Sequence, residues 1–285
     1  MRTPLHINRF LVKEFLLEFK NKEILYFPNP GNAGDALIGV GVLHAFDDLG
    51  IRWRPITADV SVDGQIVLLG GGGNLVPLYD DARKAVERFA PKAKRLMILP
   101  HTIRGLESIL NSLQTNVTVL CRDPVSYLHV LQNTAPRVEV ALAHDMAFHI
   151  DVDRLRAHPE REKFRARFEA KLREANVNLQ DERLRKLARY GRHDAEKGLS
   201  MEGSDIDISQ AFAFGTWPGS GAELSAWCLL EAIRMVEALE TDRLHVGIGS
   251  ALLGRKCTLH DNSYGKNNNV YNHSLRNFLS INFKG

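Results

Sequence analysis

The chain has 285 residues, of which 44% are hydrophobic and 25% charged, a balance that excludes a disordered chain and allows one large domain or two ordinary ones with a buried core. A net charge of +3 and a pI near 8.7 are too weak an excess to imply nucleic acid, yet they suit a small anionic substrate if arginines gather in a cleft. No stretch reaches the roughly 18–20 apolar residues of a membrane span.

The N-terminal segment carries Arg9, Lys13, Glu14 and Glu18 through its apolar part and has no small-residue cleavage site. It therefore reads as a helix docking through Phe10, Leu11, Phe15, Leu17 and Phe19, not as a signal peptide, and the expected location is cytoplasmic. Short apolar runs bounded by turn residues predict strands at Glu23 to Phe27, Ile66 to Leu69, Arg95 to Leu99, Val117 to Cys121 and Val138 to Ala141. Helical patterns lie between them at Ala36 to Leu49, Asp80 to Phe89, Leu106 to Leu113 and Ser126 to Gln132. Apolar strands alternating with helices imply a parallel sheet covered on both faces, a Rossmann-like domain ending near residue 143.

From Asp151 to about Arg189 the chain is dense in Arg and Glu, which predicts a solvated helix or helix pair. Bases and acids interleave, so a nucleic-acid arm is not the reading. The last third returns to an α/β texture: a helix from Glu223 to Leu239, a helical run from Arg243 to Leu253 and a strand from Lys256 to His260. Cys121, Cys228 and Cys257 form no CxxC pair and sit in apolar contexts, as buried reduced thiols do.

Several segments carry chemistry. Gly31 and Gly34 allow a tight turn after the first strand, Asp35 can cap the helix at Ala36, and Asn29 and Asn32 add polar groups at a strand's C-terminal edge, where open α/β sheets bind ligands. A capped turn without a ligand is the alternative. Gly70, Gly71, Gly72 and Gly73 follow the next strand, with Asn74 behind them, and the absent Cβ atoms admit either a ligand or merely a tight turn. His101 follows another strand, and Arg122 follows a further one, where its fork of donors suits a carboxylate or phosphate, or an internal carboxylate such as Asp123. Arg243 and His245 flank Leu244, and Lys266 follows the strand that ends at His260. His144, Asp145 and His149 match no zinc spacing, so no metal is expected.

Read in order, NPGNAGDALIG, IVLLGGGGNL, ILPHTI, VLCRDPVSY, VALAHDMAF, YGRHDAEK, TDRLHVGIGSALLG and DNSYGKN resemble the polysaccharide pyruvyl transferase family. The resemblance implies a GT-B-like fold of two Rossmann-like lobes with parallel sheets facing across a cleft, residues 1–143 on the acceptor side and 144–285 on the donor side, the latter including the charged insert 151–189. It implies a transferase that moves the pyruvate unit of phosphoenolpyruvate onto hydroxyls of a sugar, sometimes a lipid-linked one at the inner membrane face, with no cofactor. Arg243, Leu244, Lys266 and Arg122 are then expected on the donor, and His245 in the proton chemistry with His101 as second candidate. Asn32, Asp35, Gly72, Gly73 and Asn74 are expected on the acceptor or cleft floor. A GT-B glycosyltransferase using a nucleotide sugar is the competing reading, since fold alone does not separate the two; a sugar-binding module without catalysis is the third.

Overall fold

The computed structural model describes residues 12–285 apart from 195, 199, 200 and 220. It is an α/β protein with two parallel sheets, of seven and four strands. The chain divides into two compact units, residues 1–30 with 41–149, and residues 31–40 with 150–285. The helix Ala33–Leu49 thus contributes its first turns to the second unit and its remainder to the first.

In the first unit the strands are β1 (Glu23–Phe27), β2 (Arg52–Pro55), β3 (Ile66–Leu69), β4 (Gly72–Leu75), β5 (Arg95–Ile103), β6 (Val117–Cys121) and β7 (Glu139–Leu142). Their order is β2-β1-β3-β5-β6-β7, with β4 also on β5. Strand β3 pairs with the first half of β5, and the chain then passes through Gly70 and Gly71 to pair again as β4 with His101 and Ile103. The four-glycine run is therefore half strand and not simply a turn. Likewise β5 does not end at Leu99: Pro100, His101 and Thr102 lie within it. Pro100 lacks an N–H, and the register on both sides of β5 shifts near it, as a central strand must where a ladder donor is missing. Helices Asp81–Phe89, Glu107–Ser112 and Pro124–Asn133 follow the predicted segments with small shifts of their ends.

Residues 12–17 are helical, and Val12, Leu16 and Phe19 are buried, with spacings of four and three that put them on one face. Leu17, expected to dock, is 49% exposed instead. Phe10 and Leu11 lie outside the described residues.

The second sheet has the order β11-β10-β9-β8, from β8 (Ala188–Tyr190), β9 (Ala238–Thr241), β10 (Lys256–His260) and β11 (Ile281–Lys284). The helix expected to run to Leu239 ends at Arg234, and Leu239 is a buried strand residue of β9. The charged run folds as helices Val152–Arg156, Arg161–Glu174 and Glu182–Lys186. Its longest helix is not merely solvated. Phe164, Phe168 and Leu172, at i, i+4 and i+8, form one buried stripe, and Phe168 stacks on Phe212 with ring centroids 5.1 Å apart. No helix among the described residues is long and apolar enough to cross a membrane.

Candidate functional site

In the first unit, polar side chains gather where β1, β4 and β5 meet. The Asn29 and Asn74 amides pair reciprocally, Asn29 Nδ2 donating to Asn74 Oδ1 at 2.8 Å and Asn74 Nδ2 to Asn29 Oδ1 at 2.9 Å. His101 Nε2 lies 2.9 Å from the same Asn74 oxygen, so in this amide orientation Nε2 carries the proton. A Cβ on Gly72 would stand 2.2 Å from Asn29 Nδ2 and 3.3 Å from His101 Nε2. The missing Cβ at Gly72 is thus filled by the protein's own amide, while Gly73 and Asn74 remain half-buried. His101 is fully buried, and burial followed by the nearby Arg122 charge pushes its pKa down to about 3.

Arg122 is 1% exposed. Its Nη1 reaches Asp145 Oδ2 at 2.6 Å and its Nε donates to Thr102 Oγ1 at 2.9 Å, so the carboxylate that balances it is Asp145. Asp123 instead caps the helix Pro124–Asn133, accepting from the Ser126 N–H at 2.8 Å, and takes a further bond from Arg104 Nη2 at 2.9 Å. Arg104 was not singled out in the sequence, where nothing distinguishes it from other surface arginines.

In the second unit the turn at 31–35 closes differently from expectation. The helix begins at Ala33, not Ala36; Asn32 Oδ1 accepts from Gly34 N–H at 2.8 Å, and Asp35 Oδ2 accepts from Asn32 N–H at 2.9 Å. Asn32 is thus the cap and Asp35 braces it from the first turn. His245 lies against this turn: a Cβ on Gly34 would meet its Nδ1 at 2.5 Å. His245 is half-buried, and Leu244 beside it is a buried core residue.

Arg243 immediately precedes the helix Leu244–Leu253. Its Nε donates to Asp207 Oδ1 at 3.0 Å, its Nη2 contacts Asp207 Oδ2, and its Nη1 lies 2.9 Å from Asp194 Oδ2. Lys266 is buried, with Nζ on Glu196 and 5.3 Å from the Tyr264 ring centroid. Arg192 joins the same network through Asp194 and Glu196. Burial alone would raise the Asp194 pKa, but the Arg192 hydrogen bonds and the Arg243 and Arg192 charges outweigh it and hold the carboxyl at about 2. The expected basic cradle is therefore a network of alternating charges. Arg192, Asp194, Glu196 and Asp207 complete it without having been assigned roles from sequence. The available signal was that buried arginines need carboxylates.

The three cysteines are buried, and burial pushes the Cys257 thiol up to about 12. Among the described residues no group of three or more His, Cys, Asp or Glu is placed to hold a metal.

The family model for polysaccharide pyruvyl transferases matches residues 32–264. The chain is also similar to EpsO of Bacillus subtilis (strain 168), a protein assigned to pyruvyl transfer only provisionally. The two are 29% identical over 283 residues, covering 88% of this chain and 85% of that protein. Among solved structures it is similar to a functionally uncharacterized protein from Klebsiella pneumoniae subsp. pneumoniae NTUH-K2044, with 27% identity, a TM-score of 0.77 and 98% of each chain covered.

Proposed function

The chain belongs to the polysaccharide pyruvyl transferase family, transferases of polysaccharide biosynthesis, and from that premise we propose that its donor is phosphoenolpyruvate and its product a pyruvate ketal on a sugar. The observation that carries the reading is the Arg243-Leu244-His245 turn, with a guanidinium held in a buried charge network and an imidazole two residues on, resting against Gly34. In this proposal each unit is a Rossmann-like lobe of a GT-B-type enzyme, and the sugar acceptor, free or lipid-linked, engages Gly72, Gly73 and Asn74.

His245 delivers a proton to C3 of phosphoenolpyruvate, turning the methylene into a methyl group and leaving C2 cationic. A sugar hydroxyl adds at C2, the C2–O bond to phosphate breaks with the pair leaving on inorganic phosphate, and a second hydroxyl closes the ketal. The two hydroxyl protons go to the imidazole and to the departing phosphate or solvent, so the reaction needs no redox partner. A positioned acid and base of this kind contributes about 10²–10⁴-fold. His101 suits this task less, since a histidine held at about 3 stays neutral near neutrality and lacks the imidazolium proton that a general acid gives. Its place is support of Asn74. Arg243 and Lys266 supply positive charge to the donor, and Leu244 packs the turn that aims Arg243. Arg122, paired with Asp145 inside the first unit, acts by holding the end of β5 through Thr102.

Calorimetry with phosphoenolpyruvate and a nucleotide sugar side by side tests the donor. Phosphoenolpyruvate binds, and Arg243→Ala weakens it by about one to two decades, the worth of a charge-assisted hydrogen bond. Binding of the nucleotide sugar without phosphoenolpyruvate moves the assignment to a glycosyltransferase.

A further inference from the structure

Strands β8 and β9 are adjacent, parallel and in register with Tyr190 opposite Thr241. Arg192 and Arg243 therefore stand at equivalent positions, each two residues beyond its strand's C-terminal end, the edge at which parallel α/β sheets take ligands. Both side chains are almost enclosed, at 6% and 4% exposure. Arg243 spends Nε and Nη2 on Asp207, whose side chain is 3% exposed. Its Nη1 points to Asp194 Oδ2 at 2.9 Å. Arg192 gives Nε to Asp194 Oδ1 at 2.8 Å and Nη2 to Asp194 Oδ2 at 3.1 Å, and the same Nη2 lies 3.1 Å from Glu196 Oε2. The Glu196 N–H completes the set, donating to Asp194 Oδ1 at 3.1 Å.

One carboxylate is thus gripped by the fork of one arginine, a third N–H from a second arginine and a backbone amide. That is how proteins bind a small carboxylate or phosphate ligand. Asp194 also differs from its neighbours in access to water: its side chain is 28% exposed against 4% for Glu196 and 3% for Asp207. Exchanging this one carboxylate for an external anion leaves the buried arginines compensated, whereas moving either buried carboxylate would strand a charge.

We infer that the Arg192–Arg243 pair is a seat for a small carboxylate or phosphate group, and that the Asp194 side chain fills it until such an anion displaces it. The inference rests on the donor reading above only for the identity of the anion, since phosphoenolpyruvate offers both groups. Arg192 then becomes a donor-binding residue and Asp194 an internal competitor that sets donor affinity.

The test is calorimetric titration of the full chain, wild type and Asp194→Asn, with phosphoenolpyruvate, pyruvate and inorganic phosphate at one ionic strength. Asn keeps the size of the side chain but not its charge, so at least one anion binds about tenfold tighter to the variant, the scale of one charge-assisted bond no longer contested. A gain for pyruvate alone assigns the seat to carboxylate, and a gain for phosphate alone assigns it to phosphate. Arg192→Lys keeps the charge and loses the fork, and it binds the same anion about tenfold more weakly. This variant decides the matter if Asp194→Asn does not fold. Unchanged affinities in a folded Asp194→Asn protein, or full affinity in Arg192→Lys, overturn the seat. Phosphoenolpyruvate turnover without any gain in Asp194→Asn rejects the seat and keeps the donor. Tighter phosphate with no phosphoenolpyruvate binding or turnover does the reverse.

Discussion

Gly34→Ala is a single-methyl test of where the acid sits. The added Cβ would lie 2.5 Å from His245 Nδ1 and 3.0 Å from its Cβ and Cγ, while ordinary contact begins at 3.4 Å. The imidazole must withdraw by about 0.9 Å, the difference between 3.4 and 2.5 Å. A displacement near 1 Å at a reacting group costs about 10²-fold in rate, or about 2.7 kcal/mol of barrier. Stability should change less. Overpacking costs about 1–3 kcal/mol, and alanine returns about 1 kcal/mol at a helical position that glycine disfavours. Steady-state phosphate release at saturating phosphoenolpyruvate reads the effect: kcat falls about a hundredfold, while the donor KM moves little because the bonds of Arg243 are untouched. A folded variant that turns over within about threefold of the wild type refutes the reasoning, because the ring would then not need its place against this turn.

Phe168→Ala should lose about 3–5 kcal/mol in denaturant unfolding, because Phe168 stacks on Phe212 and stands edge-on to Trp227 at 6.2 Å; a loss under about 1 kcal/mol would return this helix to the solvated class. His101 makes the fold sensitive to acid. Its pKa in the folded chain is about 3 against an ordinary 6.5, so between these values the unfolded chain binds a proton that the folded one refuses. Its contribution is complete above pH 6.5 and is lost as pH falls toward 3, by at most about 1.4 kcal/mol per pH unit. His101→Gln should flatten the difference in unfolding free energy between about pH 7 and pH 5, and an unchanged slope would refute the assignment.

The legible parts of the fold are those where one local rule decides. Strands β1, β3, β6 and β10 are apolar runs ended by turn residues, and each has the predicted bounds. Strand β4 was hidden because glycine has no β preference, and the end of β5 because Pro-His-Thr reads as a break; pairing with neighbours overrode both. The helix at Arg161–Glu174 reads as solvated from its composition, yet three apolar residues four apart suffice for a buried stripe. At the candidate site, the cations stood out by type and their carboxylates did not. Asp207 lies 36 residues from Arg243 and Glu196 lies 70 from Lys266, separations with no periodicity to read. Electrostatic balance in a buried network is a tertiary property, and the sequence offers only its ingredients.

The division of the helix Ala33–Leu49 has a practical meaning for dissecting the protein. Residues 31–40 cluster with 150–285, so the second unit is discontinuous in the chain. A fragment cut at residue 150 would begin at a natural-looking boundary and yet lack Gly34 and the turn beside His245. Its sheet β8–β11 lies wholly within such a fragment, whereas the Gly34–His245 approach joins residues 211 apart (245 minus 34). Long-range closures of that kind come late in folding because their entropy is lost before any contact repays it. During synthesis the turn must wait, already made, for a partner near the other end of the chain. The C-terminal half is therefore better supplied together with a fragment carrying residues 1–149 whole than expressed alone.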